Sequence, residues 1–371
     1  MYESFVRKLL AQAKINVNGS APADIQVHDP RVYREVFFNK SLALGESYMK
    51  GWWDCEKLDE MLTRVLIAKV HKEAGQKLTH KWQHIVSCIA NMQSKARASI
   101  VAEKHYNLDN DLFFHFLDPY RQYSCAYFAG TDDLEQAQRN KLDLICRKLA
   151  LTSEDHLLDI GSGWGGLAKF AAEQYGCQVT GINISTAQRE SSENFCQGLP
   201  IRFEGHDYRD IRQTFSKIAS VGMFEHVGWK NYRTYFETAH RCLQDDGIFL
   251  LHTIGKNHTT KGKNDPWLDK YIFPNSTIPS ISQISKALEG LFVVEDWHNI
   301  GPHYDKTLMA WYRNFMKAWP SLQKNYDEQF KRMWTYYLLS CAAAFRARQT
   351  QCWQIVLTKE SSGRTQPVRQ S

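Results

Sequence analysis

The segment LLDIGSGWGG, residues 157–166, constrains this chain more than any other. An apolar run ending in Asp159 meets Gly161, Gly163, Gly165 and Gly166, and GLAKFAAEQYG continues with helical character. A buried strand must therefore stop, turn within a few residues and become a helix. Glycine serves such a turn because its backbone reaches positive φ and approaches a ligand with no Cβ in the way. Short apolar runs recur around it, separated by helix-length polar stretches: HLLDI (156–160), QVTGIN (178–183), IRFEG (201–205), KIASVGMFE (217–225) and GIFLLHTI (247–254). That alternation predicts βαβ units around a parallel sheet. FVVEDWHN (292–299) and CWQIVLTK (352–359) flank a long helical stretch, 306–348, and supply two late strands. The expected fold is α/β and Rossmann-like, with a mixed seven-stranded sheet and an antiparallel C-terminal edge.

At 371 residues the chain is long for a single core, and 43% hydrophobic residues are ample for more than one. Residues 1–92 show no glycine fingerprint and no strand alternation. Phe5, Val6, Leu9, Leu10 and Ala13 make one helical face, and Leu58, Met61, Leu62, Val65 and Leu66 another. GESYMKGWWDCEKLDE, between them, reads as aromatic and turn-like. A small helical domain over 1–92, a linker over 93–104 and a catalytic domain over 105–371 are expected. The tail after about 360, SSGRTQPVRQS, lacks apolar periodicity and reads as disordered.

The formal net charge is +6, and residues 64–104 account for all of it, with eight Lys/Arg against Glu73 and Glu103. Trp82, Ile85, Val86, Ile89 and Met92 recur there at helical spacing. Such a helix suits an anionic membrane surface, or simply packs on its own domain with a solvated basic face. No helix-turn-helix, zinc or RNP pattern supports a nucleic-acid partner. Nine cysteines form no CxxC pair, no apolar leader precedes them, and no run reaches a membrane-spanning length. Reduced thiols in a cytoplasmic protein are expected.

A glycine loop alone does not choose among NAD, FAD and S-adenosylmethionine. Asp159 just before the first glycine, in D-x-G-x-G, is typical of S-adenosylmethionine methyltransferases. A dinucleotide enzyme should also place an acid at the end of the second strand. That strand runs Gly181-Ile182-Asn183-Ile184-Ser185 instead. Asn183 or Gln188 is the candidate for the ribose, and His206-Asp207 after the third strand for the adenine, unless the latter is an ordinary loop.

Several further motifs occur in order: HYNLDNDLFFHFLDPYRQYSCAYF (105–128), SVGMFEHVG (220–228), LLHTIG (250–255), DPWLDKYIFP (265–274) and EDWHNIGPHYDKTLMAWY (295–312). Together with the glycine loop they closely resemble cyclopropane-fatty-acyl-phospholipid synthases, and share a core with mycolic acid cyclopropane synthases. The resemblance extends into the first domain through NGSAPADIQV and LGESYMKGWW. It implies methyl transfer from S-adenosylmethionine to a cis double bond of a phospholipid acyl chain, with a carbocation deprotonated by bound bicarbonate. It implies a bicarbonate cradle of Cys125, Glu225, His252, Tyr304 and the Ile254 backbone. Cofactor contacts follow at Tyr123, Ser124, Asp159, Gly161, Gly163, Asn183, Gln188, His206 and Asp207. A homodimer bound peripherally to the inner face of the cytoplasmic membrane, and acting on its unsaturated phospholipids, is also implied. Two residues depart from the family pattern, Ser162 where cysteine is usual and Asn183 where threonine is usual.

The residues themselves are compatible with this chemistry. An alkene is a weak nucleophile and the intermediate is a cation, so the site must be dry and free of rival nucleophiles. Aromatics crowd the motif segments, and each desolvated face attracts a cation by about 0.5–2 kcal/mol. His252, on an apolar strand, is a core histidine unless the motif gives it a role. Glu225 ends a strand at the carboxyl edge, where it orients a base network; no second ligand at metal spacing accompanies Glu225-His226. Cys125 is not excluded as a nucleophile by sequence, but direct methyl transfer needs no covalent enzyme intermediate. The rival readings are another lipid methyltransferase giving branched or methylene products, or a non-catalytic membrane-surface lipid-binding protein.

Overall fold

The computed structural model of the protein describes residues 1–70, 110–259 and 265–360. The chain forms two compact units, and neither follows the boundaries expected from the sequence. The first unit joins residues 1–90 to 261–274 and 304–350; the second joins 91–260 to 275–303 and 351–371.

The first unit is helical. It contains α1 (Tyr2–Gln12), α2 (Arg31–Met49), a short antiparallel pair β1 (Gln26–Val27) and β2 (Trp53–Asp54), and α3 (Leu58–Ile67). The stretch at 45–49, expected as turn, is the end of α2, which itself breaks at Lys40 (φ 50°, ψ −123°). These helices cannot close a core alone, and later chain completes it. Arg346 reaches Asp305 at 2.8 Å and Asp59 at 2.6 Å, and Arg332 donates to the Trp53 carbonyl at 2.8 Å. Trp53 is fully buried, with Nε1 donating to Ser47 Oγ at 3.0 Å. A Cβ on Gly45 would collide with the Trp267 ring, which is why a helix interior keeps glycine here. The expected linker, 93–104, the tail and nearly all of the basic stretch lie outside the described residues.

The second unit carries the sheet. In chain order it contains α4 (Asn110–Phe114), α5 (Leu134–Lys148), β3 (His156–Ile160), α6 (Gly166–Tyr175), β4 (Gln178–Ile182), α7 (Thr186–Phe195), β5 (Ile201–Glu204) and β6 (Phe215–Val221). The helix α8 (Tyr232–Cys242), β7 (Leu243–Lys256), α10 (Ile281–Leu288) and β8 (Phe292–Asn299) follow, then β9 (Thr350–Lys359). Between them, α9 (Pro266–Tyr271), most of α11 (Gly301–Leu322) and α12 (Glu328–Arg346) belong to the first unit. The seven strands lie in the order β5-β4-β3-β6-β7-β9-β8. Strands β3 to β7 pair in parallel, and β8 pairs antiparallel with β9 at the edge, as the alternation predicts.

The apolar runs are continuous because the sheet is covered on both faces. Side chains alternate along each strand. Leu158, Phe249 and Leu251 therefore face α8 and α10, while Leu157, Ile248 and Leu250 face α5 and α6. Caps mark the helix starts: Asp133 accepts from Gln136 N at 2.8 Å, and Ser280 and Gln283 form a reciprocal capping box.

Replacing Arg346 by leucine would leave Asp59 and Asp305 without their shared cation. A loss of about 1–3 kcal/mol is expected, measured as a lower urea midpoint with an unchanged slope; an unaltered midpoint would show that the pairs contribute nothing.

Candidate active site

Strand register sets the site. Asp159 pairs across to Ala219 of β6, and Val221 at the end of β6 pairs to His252 of β7. The 3-10 turn Phe224–His226 follows β6 directly, so Asp159, Glu225 and His252 all gather at the carboxyl edge, where open α/β sheets bind ligands.

The glycine turn has the geometry its composition requires. Gly161, Gly163 and Gly165 have φ of +85°, +55° and +81°. Gly161 N and Ser162 N both donate to the Ile182 carbonyl, at 2.9 and 3.1 Å. Asn183 Nδ2 donates to the Gly163 carbonyl at 2.9 Å and to Gln188 Oε1 at 3.0 Å, while its Oδ1 accepts from Ser185 N. Asn183 is thus engaged in shaping the loop, and Gln188 is left with its amide N–H groups as donors. No carboxylate ends β4. Asp207 is engaged by Arg209 through Nε and Nη2, each at 2.7 Å, and His206 Nε2 meets Glu204 at 2.5 Å.

Tyr123 and Ser124 lie on a strap that a buried polar cluster holds in place. A Cβ on Gly166 would collide with the Tyr120 carbonyl, so the strap lies directly against the start of α6. Lys141, fully buried on α5, donates to Ser124 Oγ at 3.0 Å and to Gln122 Oε1. Gln138 Nε2 donates to the Ser124 carbonyl at 3.0 Å, and Asp118 accepts from Tyr120 N and Gln122 N at 2.8 Å. Burial pushes the Lys141 pKa down to about 8, opposed by Asp118, and pushes that of Asp159 up to about 7, opposed by Lys141. Asp118 and Gln122 lie inside the 105–128 motif without an assigned role, and Gln138 and Lys141 lie in no motif, yet a signal is present. Gln138 and Lys141 interrupt the face of α5 that also carries Leu134 and Ile145. The Tyr123 ring meets Phe113 edge-on at 5.1 Å, and Phe113 meets Trp164 at 4.9 Å, forming an aromatic wall beside the loop.

The cradle residues are partly assembled. Glu225 Oε1 accepts from Ile254 N at 2.6 Å, and burial raises the carboxyl pKa to about 7. Its Oε2 is buried and makes no hydrogen bond of normal geometry, while the Thr253 side chain beside the carboxyl opposes the rise. Ile254 N–H is therefore engaged by Glu225. The His226 pKa is pushed down to about 4 by burial, which leaves the ring neutral at physiological pH. Cys125 is fully buried and donates to the carbonyls of Ala126 at 3.3 Å and Ile300 at 3.8 Å, the bonding of a thiol. His252 is nearly fully buried, with Nε2 3.2 Å from Cys352 Sγ and Nδ1 3.4 Å from Gln354 Nε2. Cys352 and Gln354, on β9, are not foreseeable from sequence, since a lone cysteine on an apolar strand gives no signal. Tyr304 belongs to the first unit, where its ring stacks on Phe345 at 4.5 Å.

The sheet order and the D-x-G-x-G turn define the fold of the S-adenosylmethionine-dependent methyltransferases. The model of the family Mycolic acid cyclopropane synthetase matches residues 93–355. The chain is 50% identical over 352 residues to the cyclopropane-fatty-acyl-phospholipid synthase of Escherichia coli (strain K12), covering 95% of this chain and 92% of that one. It is 30% identical to a probable fatty acid methyltransferase of Pseudomonas putida, over 95% of this chain and 91% of that one. Among solved structures, the Mycobacterium tuberculosis cyclopropane synthase MmaA2 superposes with a TM-score of 0.65 at 30% identity, covering 71% of this chain and 98% of that one. This chain belongs to the mycolic acid cyclopropane synthetase family.

Lys141→Met should loosen the strap while sparing the apolar face of α5. Affinity for S-adenosylmethionine is expected to fall about tenfold, or about 1.4 kcal/mol, read by titration calorimetry with an unchanged far-UV spectrum. Unchanged affinity would detach the cluster from the cofactor site.

Proposed function

We propose that this chain is a cyclopropane-fatty-acyl-phospholipid synthase, which adds a methylene unit from S-adenosylmethionine across the cis double bond of an unsaturated phospholipid acyl chain. The observation that carries the reading is Glu225: a buried carboxyl with one oxygen fixed and the other without a hydrogen bond of normal geometry, at the strand edge beside a methyltransferase loop. The half-identity over nearly the full length of the Escherichia coli synthase supports the substrate.

When bound, S-adenosylmethionine supplies a methyl group on a sulfonium, so the acyl chain gains CH2 and one proton is released. The residues present fit it. Gln188 offers amide donors suited to ribose hydroxyls, the loop turns without side chains at Gly161 and Gly163, and Asp159 and the Tyr123–Ser124 strap border the turn. Tyr123, Phe113 and Trp164 exclude water and present faces to positive charge, worth about 0.5–2 kcal/mol for each desolvated ring.

A small anion also fits. Near its own pKa at neutral pH, Glu225 can hold a proton and donate from Oε2, whereas a fixed carboxylate would repel an anion. When held there, bicarbonate supplies the base that accepts the released proton. Glu225 would hold it beside Cys125, with Ile254 N–H acting through Glu225 and His252, whose ring nitrogens both meet β9 side chains, acting through Cys352. Cys125 is then a wall of the pocket. His206 and Asp207 keep their assignment to the adenine side. Docking is read as peripheral, on the inner face of the cytoplasmic membrane and as a homodimer. Among the described residues no helix is long and apolar enough to cross a bilayer.

The test is incubation with S-adenosylmethionine and unsaturated phospholipid vesicles. Acyl chains should gain the mass of one CH2 with loss of the alkene and with ring methylene signals by NMR; unmodified chains would sink the reading. A mass gain without ring protons would instead favour a branched or methylene product, the alternative that the Pseudomonas putida relative brings to mind. Glu225→Gln preserves shape but cannot titrate, so kcat should fall steeply while KM for S-adenosylmethionine holds; Cys125→Ser should keep substantial activity.

A further inference from the structure

The resemblance assigns His252 to the base pocket and says nothing of what orients it. His252 is nearly fully buried on β7, and both of its ring nitrogens face β9. Gln354 Nε2 lies 3.4 Å from Nδ1, and Cys352 Sγ lies 3.2 Å from Nε2. Cys352 and Gln354 are two residues apart on one strand, so their side chains project from the same face. That strand neighbours β7 in the sheet, and its position is tightly fixed. The Trp353 ring fills the space where a Cβ on Gly255 would be, and Gln351 Nε2 donates to Asn257 Oδ1 at 3.2 Å.

With the Gln354 carboxamide in this orientation, donor and acceptor rules leave one consistent direction. An amide nitrogen can only donate, so Gln354 Nε2–H donates to Nδ1 and the imidazole proton resides on Nε2. His252 Nε2–H donates to Cys352 Sγ. The Cys352 thiol hydrogen-bonds in turn with Cys125, whose own S–H reaches the Ala126 and Ile300 carbonyls. Gln354 Oε1 is buried without a partner in this orientation; the reversed carboxamide would turn that oxygen toward Nδ1 and require the opposite tautomer, the alternative that the ring 15N measurement separates. Burial also raises Cys352 well above its ordinary range, which keeps it a thiol throughout.

We infer that Cys352 and Gln354 are positioning residues that hold His252 as its Nε2–H tautomer and aim that proton along a relay toward Cys125. The consequence is directional. His252 donates through Nε2 to Cys352, so it acts on the pocket through that thiol and not by direct contact with an anion. The relay involves no bond change other than hydrogen bonds, and it needs no oxidant or co-reactant. The tautomer assignment stands on the geometry alone; its importance for turnover rests on the proposed base pocket.

The test separates the two. Ring 15N NMR of the full-length protein, with His252 assigned by difference from His252→Gln, should show a protonated Nε2 and an unprotonated Nδ1. In Gln354→Glu, whose carboxylate accepts, the Nδ1 signal should move to that of a protonated nitrogen. A protonated Nδ1 in the unaltered protein, or no change in Gln354→Glu, would overturn the inference whatever the activity. Kinetics then read the functional part: Cys352→Ala should lower kcat about tenfold or more with KM for S-adenosylmethionine unchanged, and Cys352→Ser, which keeps a donor and an acceptor, should restore most of it. If kcat and KM change together, or if serine fails to rescue while the melting temperature falls, Cys352 is only a packing residue. A correct tautomer with unaffected kcat would leave His252 oriented as described but outside the reaction.

Discussion

Everything at the site depends on the level pairing of three parallel strands. Register between β3, β6 and β7 is enforced by backbone hydrogen bonds and by burial on both faces, because a slip of one residue would turn every apolar side chain to the wrong side. With that register in place, the residue that ends β3, the turn after β6 and the last third of β7 reach the same edge. Asp159, Glu225 and His252 are separated by 66 and then 27 residues of chain, yet no loop has to carry them to one another. The chemistry is positioned by the stiffest part of the molecule.

Two kinds of polar group are buried at that edge, and they have different purposes. Lys141, Asp118 and Gln122 bond to one another and to the strap backbone, and Gln138 holds the Ser124 carbonyl through Nε2, so their burial yields a fixed segment at the cofactor loop. Glu225 is less fully satisfied, with Ile254 N–H on one oxygen, no hydrogen bond of normal geometry at the other and only the Thr253 side chain beside it. A buried acceptor without a partner costs roughly 1–3 kcal/mol. A fold tolerates that where a ligand completes the set.

The strands are legible because a two-sided parallel sheet writes itself as apolar runs, and the cofactor loop because only glycine permits its turn. Glu225 and Cys125 are legible from motif order and not from any local signal. What stays hidden follows from distance along the chain. The partners of His252 lie 100 and 102 residues away on β9. Amphipathic faces within residues 1–92 show that those helices need cover, but not which segment provides it. Arg332 and Arg346, which look like ordinary charged positions on a late helix, are what tie that segment to Trp53 and Asp59. The place of Asn183 after β4 suggests a ribose contact; its carboxamide is engaged by Gly163 and Gln188.

The divided first unit also imposes an order on how the protein is made. Residues 1–67 leave the ribosome as three helices and a short antiparallel strand pair whose partners, Arg332 and Arg346, are not yet synthesised. Until α12 emerges, Tyr48 and Trp53 have no permanent cover, while β3 to β7 are already available to pair. The five parallel strands can thus pair first; α12 then completes the helical unit, and β9, which emerges last, joins β7 to β8. A nascent chain halted before residue 328 would carry a nearly complete cofactor loop alongside an uncovered aromatic surface, a natural substrate for chaperones.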